Sequence, residues 1–333
     1  MSDRVPVVDI APLEATEPGP GFEVAVARIT EACREHGFFQ VTGHRVPGDL
    51  IERMWEEARR LFALPRERKL EIARTAENPR GYYDRELTKN RRDLKEVFDF
   101  GYLPRPELAD DDPDNRAAVD GSNQWPADLP GFRPAMMAYF EACELLGRRI
   151  LEAFCLGLEI PRDRLRRYFV PEHTSFVRLN YYPLEDPLSA EEAEEITSLG
   201  DMALHHHTDA GALTILLQDD VGGLQVFDGR EWLDIRPVEG AFVINVADMM
   251  QVWSNDSFVA ALHRVRPMRG SERLSVPFFY NPSYSTGVAP ITAHGGEEPR
   301  YKTVNWGAFR AARTAGDYAD VGAEIQIANF RIG

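Results

Sequence analysis

His205-His206-His207-Thr208-Asp209-Ala210-Gly211-Ala212-Leu213-Thr214-Ile215-Leu216-Leu217-Gln218-Asp219-Asp220-Val221-Gly222-Gly223-Leu224-Gln225-Val226 is the stretch that decides the fold class. It holds two short apolar runs, LTILLQ and LQVFD, set off by Asp-Ala-Gly and Val-Gly-Gly. Such runs between turn-forming residues read as strands. The same texture extends on both sides, from Ser175 to Tyr280. FVRLNYY (176–182), EWLDIRP (231–237), AFVINVAD (241–248), ALHRVRP (261–267) and LSVPFFY (274–280) all qualify. Many short strands at this spacing predict a mainly β core, a sandwich or a barrel.

Upstream the pattern is different. VPVVDI (5–10) and Phe38-Phe39-Gln40-Val41 read as short strands. Between and after them, two helices are expected, from Phe22 to about His36 with Val24, Val26, Ile29 and Ala32 near one face, and from about Asp49 to Leu64. A long helix is expected from Pro134 to about Leu158. The segment Glu107 to Gly131, with its Asp run and Pro126 and Pro130, is the best boundary in the chain. The expected division is therefore 1–125, a region of helices and short strands, and 126–333, the long helix with the β core and a tail that packs back. Trp306 to Arg313 reads as a helix within that tail.

Bulk properties narrow the class. The 333 residues are 44% hydrophobic, enough for a sizeable core. A formal net charge of -16 disfavours a protein that tracks phosphate backbones, and no nucleic-acid, membrane or obligate protein partner is expected. Cys33, Cys143 and Cys155 form no C-x-x-C pair. Free buried thiols and a cytoplasmic location are the expectation.

His207, Thr208 and Asp209 then bring in chemistry. In a strand, side chains alternate, so His207 and Asp209 share a face, with His205 on the same side as a possible neighbour of the site. Imidazole and carboxylate together suit Fe(II), Mn(II) or Zn(II). His263, in Ala261-Leu262-His263-Arg264-Val265, completes two histidines and one carboxylate. That facial set leaves positions open for a chelating cosubstrate and for oxygen. Ten residues on, Arg273 and Ser275 flank Leu274 on one strand face. A guanidinium forks onto a carboxylate and a hydroxyl completes the cradle, so a dicarboxylic cosubstrate can reach from metal to Arg273. The plain alternative is a surface Arg beside a strand.

With these residues in place, the chain resembles the isopenicillin-N-synthase-like branch of the Fe(II)/2-oxoglutarate dioxygenases. The resemblance runs from PVVDI (6–10) and REHGFFQVTGH (34–44) through RLNYYP, HTDAGALTILLQDDVGGLQV, W-x-D-I-x-P and VWSND to HRV (263–265) and RLSVPFF (273–279). It implies a double-stranded β-helix, or jelly roll, with helices packed behind it. It implies that His207, Asp209 and His263 hold catalytic Fe(II), and that Arg273 and Ser275 hold the distal carboxylate of 2-oxoglutarate. Asn180 and Tyr182, in Asn-Tyr-Tyr-Pro, match a pair that assists; Tyr182 is otherwise a core aromatic. One departure is Ala247 before Asp248, where relatives commonly carry Gly.

The implied reaction consumes O2, splits 2-oxoglutarate to succinate and CO2, and oxidises a small organic molecule by hydroxylation, desaturation or cyclisation, in secondary metabolism. Three other readings stay open: an oxidase of the same fold that uses no 2-oxoglutarate, an enzyme that fragments 2-oxoglutarate to ethylene, and a noncatalytic ligand-binding barrel. For the substrate, Tyr82, Tyr83 and Phe98 lie where the resemblance puts the mouth of the site, and Phe279 and Tyr280 follow the cradle strand. Arg85, Lys89, Arg91, Arg92 and Lys95 form a basic stretch. It is expected to be a solvated loop face, with attraction of an anionic substrate as the alternative.

Overall fold

The structure is a computed structural model describing all residues except 1–4, 16–18, 113–114, 116–120, 195, 292–296, 317–321 and 333. In chain order its strands are β1 (Val7–Asp9), β2 (Phe38–Thr42), β3 (Gly81–Tyr83), β4 (Leu87–Thr88), β5 (Arg91–Arg92), β6 (Glu96–Gly101), β7 (Phe176–Tyr182), β8 (Leu204–His207), β9 (Leu213–Gln218), β10 (Leu224–Phe227), β11 (Trp232–Asp234), β12 (Phe242–Val246), β13 (His263–Val265), β14 (Arg273–Tyr280), and a small pair, β15 (Gly287–Val288) and β16 (Val304–Asn305). The helices are α1 (Pro20–Glu35), α2 (Gly48–Phe62), α3 (Arg66–Leu70), α4 (Phe132–Gly157), α5 (Ala190–Glu194), α6 (Asp248–Trp253) and α7 (Trp306–Gly316).

Two sheets build the core, an eight-stranded one in the order β1-β2-β12-β9-β14-β7-β6-β3 and a four-stranded one in the order β11-β10-β13-β8. All pairs in them are antiparallel except β1 with β2. This is the jelly roll, and period-2 alternation explains its layers. On the large sheet, Ile215, Ile244, Val276 and Phe278 join the cluster that includes Tyr139, Phe140, Cys143 and Ile150 of α4. The intervening Val243 and Leu216 turn inward with Leu224, Val226 and Val265 of the small sheet. Helices therefore cover one face, and the space between the sheets is left for a site.

The helices follow from their apolar spacing, with one change of face. On α1 the buried side is Phe22, Ala25, Ile29, Ala32 and Cys33, whereas Val24 points to solvent. Phe22 sets this phase, because its ring buries more apolar area than Val24 can. Strands β3 and β6 were not legible as strands; Phe98 and Phe100 are fully buried there because β6 pairs with β7 and extends the large sheet.

Gly37 ends α1 with φ +64°, and its N–H donates to the Ala32 carbonyl at 2.9 Å. A Cβ there would fall 2.0 Å from the Val259 carbonyl oxygen. Left-handed backbone and a backbone clash act together, so Gly37→Ala is expected to lower stability by at least about 2 kcal/mol. An unchanged urea midpoint would contradict this.

Candidate metal and cosubstrate site

Between the sheets lies a cavity of about 330 Å³. His207 closes β8 and His263 opens β13, and the two stand directly opposite each other, with ring centroids 4.3 Å apart. Strict alternation does not bring them there. Leu204 pairs with Val265 and His207 with His263, so three steps on β8 oppose two on β13. This bulge changes the parity of β8, and both Leu204 and His207 face the cavity. His205 does not share that face. Its backbone N–H and its Nδ1 both meet Asp93 Oδ1, at 3.1 and 2.7 Å.

Asp209 lies just past the strand end and is held from behind. Its Oδ2 accepts from the Thr214 hydroxyl at 2.5 Å and from the Asn245 amide at 3.0 Å. Its Oδ1 faces His207 Nε2 at 3.4 Å and His263 Nε2 at 3.5 Å. Both imidazoles place Nδ1 against the carbonyl two residues earlier, 2.8 Å for His207 to His205 and 3.3 Å for His263 to Ala261. A neutral ring that donates from Nδ1 presents a bare lone pair at Nε2. Three lone pairs thus converge with no proton between them, an arrangement that suits a cation. One ligand atom from each residue lies within 4.8 Å of the others, the only such group among the described residues.

The electrostatics agree. Burial raises the Asp209 carboxyl, but His263 and His207, in their protonated forms, and the Thr214 hydroxyl outweigh it and hold the group well below the usual carboxylate range. The site therefore calls for positive charge that a metal cation supplies when the rings are neutral. Burial, aided by His207, pushes His263 down to about 4, so it stays a neutral ligand at pH 7. Two nitrogens and one oxygen on one side of a centre suit Fe(II) and leave the far side open.

On the far side the register builds a polar cradle. Arg273 pairs across β14 and β7 with Tyr182, and Ser275 with Asn180 on one side and Gln218 on the other. Arg273 is 1% exposed; it donates to the Ser275 hydroxyl at 3.1 Å and to Gln218 Oε1 at 3.2 Å, over the Tyr182 ring. Arg273 Nε, Asn180 Oδ1 and Gln218 Nε2 are buried without a protein partner. Each such group costs about 1–3 kcal/mol if left unsatisfied, so this pocket is built for a polar ligand, and a carboxylate fits its guanidinium. Thr214, whose hydroxyl holds Asp209, was missed by sequence reasoning, and so were the functional neighbours Gln218 and Asn245. No motif marks them, since only pairing across strands brings them in.

The substrate-side expectations divide. Phe279 lines the cavity wall. Tyr82 and Phe98 are instead fully buried, Tyr82 bonded to Glu96 and Phe98 packed on Trp125 and Phe132. Tyr280 turns to the helix side against Phe169, because it is one residue out of phase with Phe279. Tyr83 is half-buried under Arg74, off the cavity wall. The basic stretch divides: Lys89 and Arg91 are exposed, as a solvated face requires, whereas Arg92 and Lys95 are buried in ion pairs with Asp186 and Glu86. Of the five, Lys95 reaches the cavity. Helix α7 contributes Trp306, Arg310, Ala311, Arg313 and Thr314 to the cavity lining, and Arg313 donates to the Thr208 carbonyl at 2.8 Å.

Asn245→Ala removes one of the two bonds that aim Asp209. Fe(II) affinity is expected to fall about 10- to 100-fold, as for other groups that orient a metal ligand. Iron titration of the purified variant checks this; affinity equal to the parent's would count against the orienting role.

Comparison with known proteins places the chain. Residues 5–128 match the non-haem dioxygenase in morphine synthesis N-terminal family, and residues 173–282 match the 2OG-Fe(II) oxygenase superfamily. The chain is 34% identical over 319 residues to the 2-oxoglutarate-Fe(II) type oxidoreductase hxnY of Emericella nidulans, covering 90% of this chain and 86% of that protein. It is 34% identical over 301 residues to the homoarginine-6-hydroxylase 2-ODD-C23 of Glycine max, covering 87% and 89%. Among solved structures, JOX2 in complex with 2OG, Fe and JA superposes with a TM-score of 0.75 at 28% identity, covering 92% of this chain and 84% of that one. The dioxygenase for auxin oxidation in rice gives 0.72 at 26%, covering 98% and 100%. The jelly roll, the His-Asp-His cluster and these matches agree, and the chain belongs to the 2OG-Fe(II) oxygenase superfamily.

Proposed function

We propose that this protein is an Fe(II)- and 2-oxoglutarate-dependent dioxygenase whose iron is held by His207, Asp209 and His263. The observation that carries the reading is the convergence of His207 Nε2, His263 Nε2 and Asp209 Oδ1 beside a buried guanidinium cradle. Bound Fe(II) would supply open coordination positions for O2 and the keto acid, while the electrons that reduce O2 come in equal shares from 2-oxoglutarate, split to succinate and CO2, and from the small organic substrate that is oxidised.

The protein's own residues bind, aim and exclude water. Thr214 and Asn245 occupy Asp209 Oδ2 and leave Oδ1 for the metal. The carbonyls of His205 and Ala261 hold the two rings in the tautomer that ligates. Arg273 and Ser275 grip the distal carboxylate of 2-oxoglutarate, Gln218 steadies the guanidinium, and Asn180 and Tyr182 bound the cosubstrate from β7. Helix α7, tied through Arg313 to the segment between two ligands, limits solvent at the mouth. Oxidation of a small molecule in secondary metabolism is the setting that relatives of this kind support. The three buried free thiols suit a reducing cytoplasm.

The test is an anaerobic protein loaded with Fe(II), given O2 with and without 2-oxoglutarate. Succinate and CO2 in equal amounts, dependent on 2-oxoglutarate, are expected. Oxygen uptake without 2-oxoglutarate would indicate an oxidase, ethylene a fragmenting enzyme, and iron binding without any oxygen uptake a ligand-binding barrel.

A further inference from the structure

The cavity carries more positive charge than the iron and cosubstrate reading uses. Among the described residues, seven Lys and Arg side chains line it against four carboxylates. The carboxylates are already engaged. Asp209 belongs to the proposed iron set. Glu86 is 2% exposed and meets Lys95 at 2.7 Å, Arg178 at 2.8 Å and Arg74 at 3.3 Å. Asp99 takes a two-pronged bond from Arg178, both arms at 2.9 Å, and pairs with Arg74. Glu324 accepts from the Lys89 backbone N–H at 3.0 Å and lies 3.9 Å from Arg313. A cationic substrate meets no carboxylate that is not already engaged. The same bonds take Arg178 through Nε, Nη1 and Nη2, so the seat for an anion lies at a guanidinium outside that carboxylate network, that of Arg310. The sign of the cavity selects an anion.

The strand register says where the anion sits. Phe176, Arg178, Asn180 and Tyr182 alternate onto the cavity face of β7. Arg178 is therefore one pleat, about 6.6 Å, beyond the Asn180–Ser275 step of the cradle. One pleat further, Phe176 pairs with Phe279, their rings stacked at 4.6 Å and 24°. Arg310 of α7 has its guanidinium carbon 4.9 Å from the Phe176 centroid, and Arg178 has its own at 6.0 Å. A stacked aromatic pair with the Arg310 guanidinium over it, anchored to the Thr174 carbonyl at 2.7 Å, complements a planar carboxylate by stacking and by charge.

We propose that the primary substrate is a small organic carboxylate on an aromatic or heteroaromatic frame, lying against the Phe176–Phe279 pair with its anionic end toward Arg310. This rests on the cosubstrate reading above, which assigns Arg273 to 2-oxoglutarate and leaves the second anion to Arg310.

The test uses protein loaded with Fe(II) and saturating 2-oxoglutarate under anaerobic conditions, titrated by quenching of tryptophan fluorescence, since Trp306 lines the cavity. The probes are size-matched triplets (carboxylate, carboxamide and amine) on phenyl, pyridyl and indolyl frames with a one-carbon arm. On at least one frame the carboxylate is expected to bind about tenfold tighter than its amide, with the amine weakest, as one charge-assisted contact provides. Arg310→Gln is expected to erase that preference and Arg310→Lys to keep part of it, with thermal melts confirming folded variants. Carboxylates that bind no better than amides on every frame, a preferred amine, or a preference untouched in Arg310→Gln would overturn the proposal. The visible charge-transfer absorption of the Fe(II)–2-oxo acid chelate, read in the same samples, reports separately on the cosubstrate reading. If the chelate forms and the charge preference is missing, only the substrate inference fails.

Discussion

Asp209→Ala is expected to bind Fe(II) at least about a thousandfold more weakly than the parent and to make no succinate. The estimate starts from outer groups, whose loss costs about 10- to 100-fold in metal affinity; a direct ligand that also carries the only negative charge of the set costs more. The variant also leaves the Thr214 hydroxyl and the Asn245 amide aimed at a vacated space, where each buried donor left unpaired costs about 1–3 kcal/mol. A fall in melting temperature should therefore accompany the loss of iron. His207→Ala is expected to abolish turnover as well, with a smaller effect on folding, because its ring is anchored through one bond to a backbone carbonyl. Iron content by a colorimetric chelator and succinate by chromatography read the two consequences separately. Turnover at the parent's rate in either variant would falsify the assignment of the metal ligands.

Arg273→Met should leave iron stoichiometry intact and raise the 2-oxoglutarate requirement about 100-fold or more. Two charge-assisted hydrogen bonds to one carboxylate are lost, each contributing about 1.5–3 kcal/mol. The methionine is apolar and close in length, so Tyr182 keeps a packed neighbour. Gln218 and Ser275 lose their partner, yet both retain a route to the incoming carboxylate. Arg273→Lys is expected to recover only part of the affinity, because an ammonium offers a point charge and no planar fork. KM for 2-oxoglutarate from initial rates of succinate formation provides the measurement. An unchanged KM would remove Arg273 from the cradle, and a joint loss of iron would show that it supports the metal side instead.

How much of this was legible in the chain depends on whether a feature is local. His207 with Asp209 and Arg273 with Ser275 each stand two residues apart, and strand periodicity was enough to propose them; His263, 54 residues past Asp209, was proposed as the histidine that completes the ligand set. The helices α1, α2 and α4 were legible from apolar spacing, though the burial of Phe22 rather than Val24 needed the partner surface. Contacts made across strands were not legible. Gln218 reaches Arg273 only because β9 and β14 pair in that register, and Asn245 reaches Asp209 from a third strand. Tyr82 and Phe98 look like mouth residues until β3 and β6 extend the large sheet and bury them. His205 looked like a neighbour of the metal because simple alternation cannot show an extra residue in one strand.

That extra residue on β8 restricts how this site can change through insertion and deletion. With three steps from Leu204 to His207 against two from Val265 to His263, losing one residue between them would restore plain pairing. Leu204 and His207 would still share the cavity face, but the bend and added twist that the extra residue gives β8 would be lost, re-aiming the imidazole and the Asp209 that follows it, while gaining one would shift both along the strand. Descendants of this chain can therefore trade side chains in 204–209 by small steps, but a change of length there removes the reaction in a single event. The segment should accordingly keep a constant length among active relatives, whatever their substrates, and length variation should collect in connections that no ligand depends on.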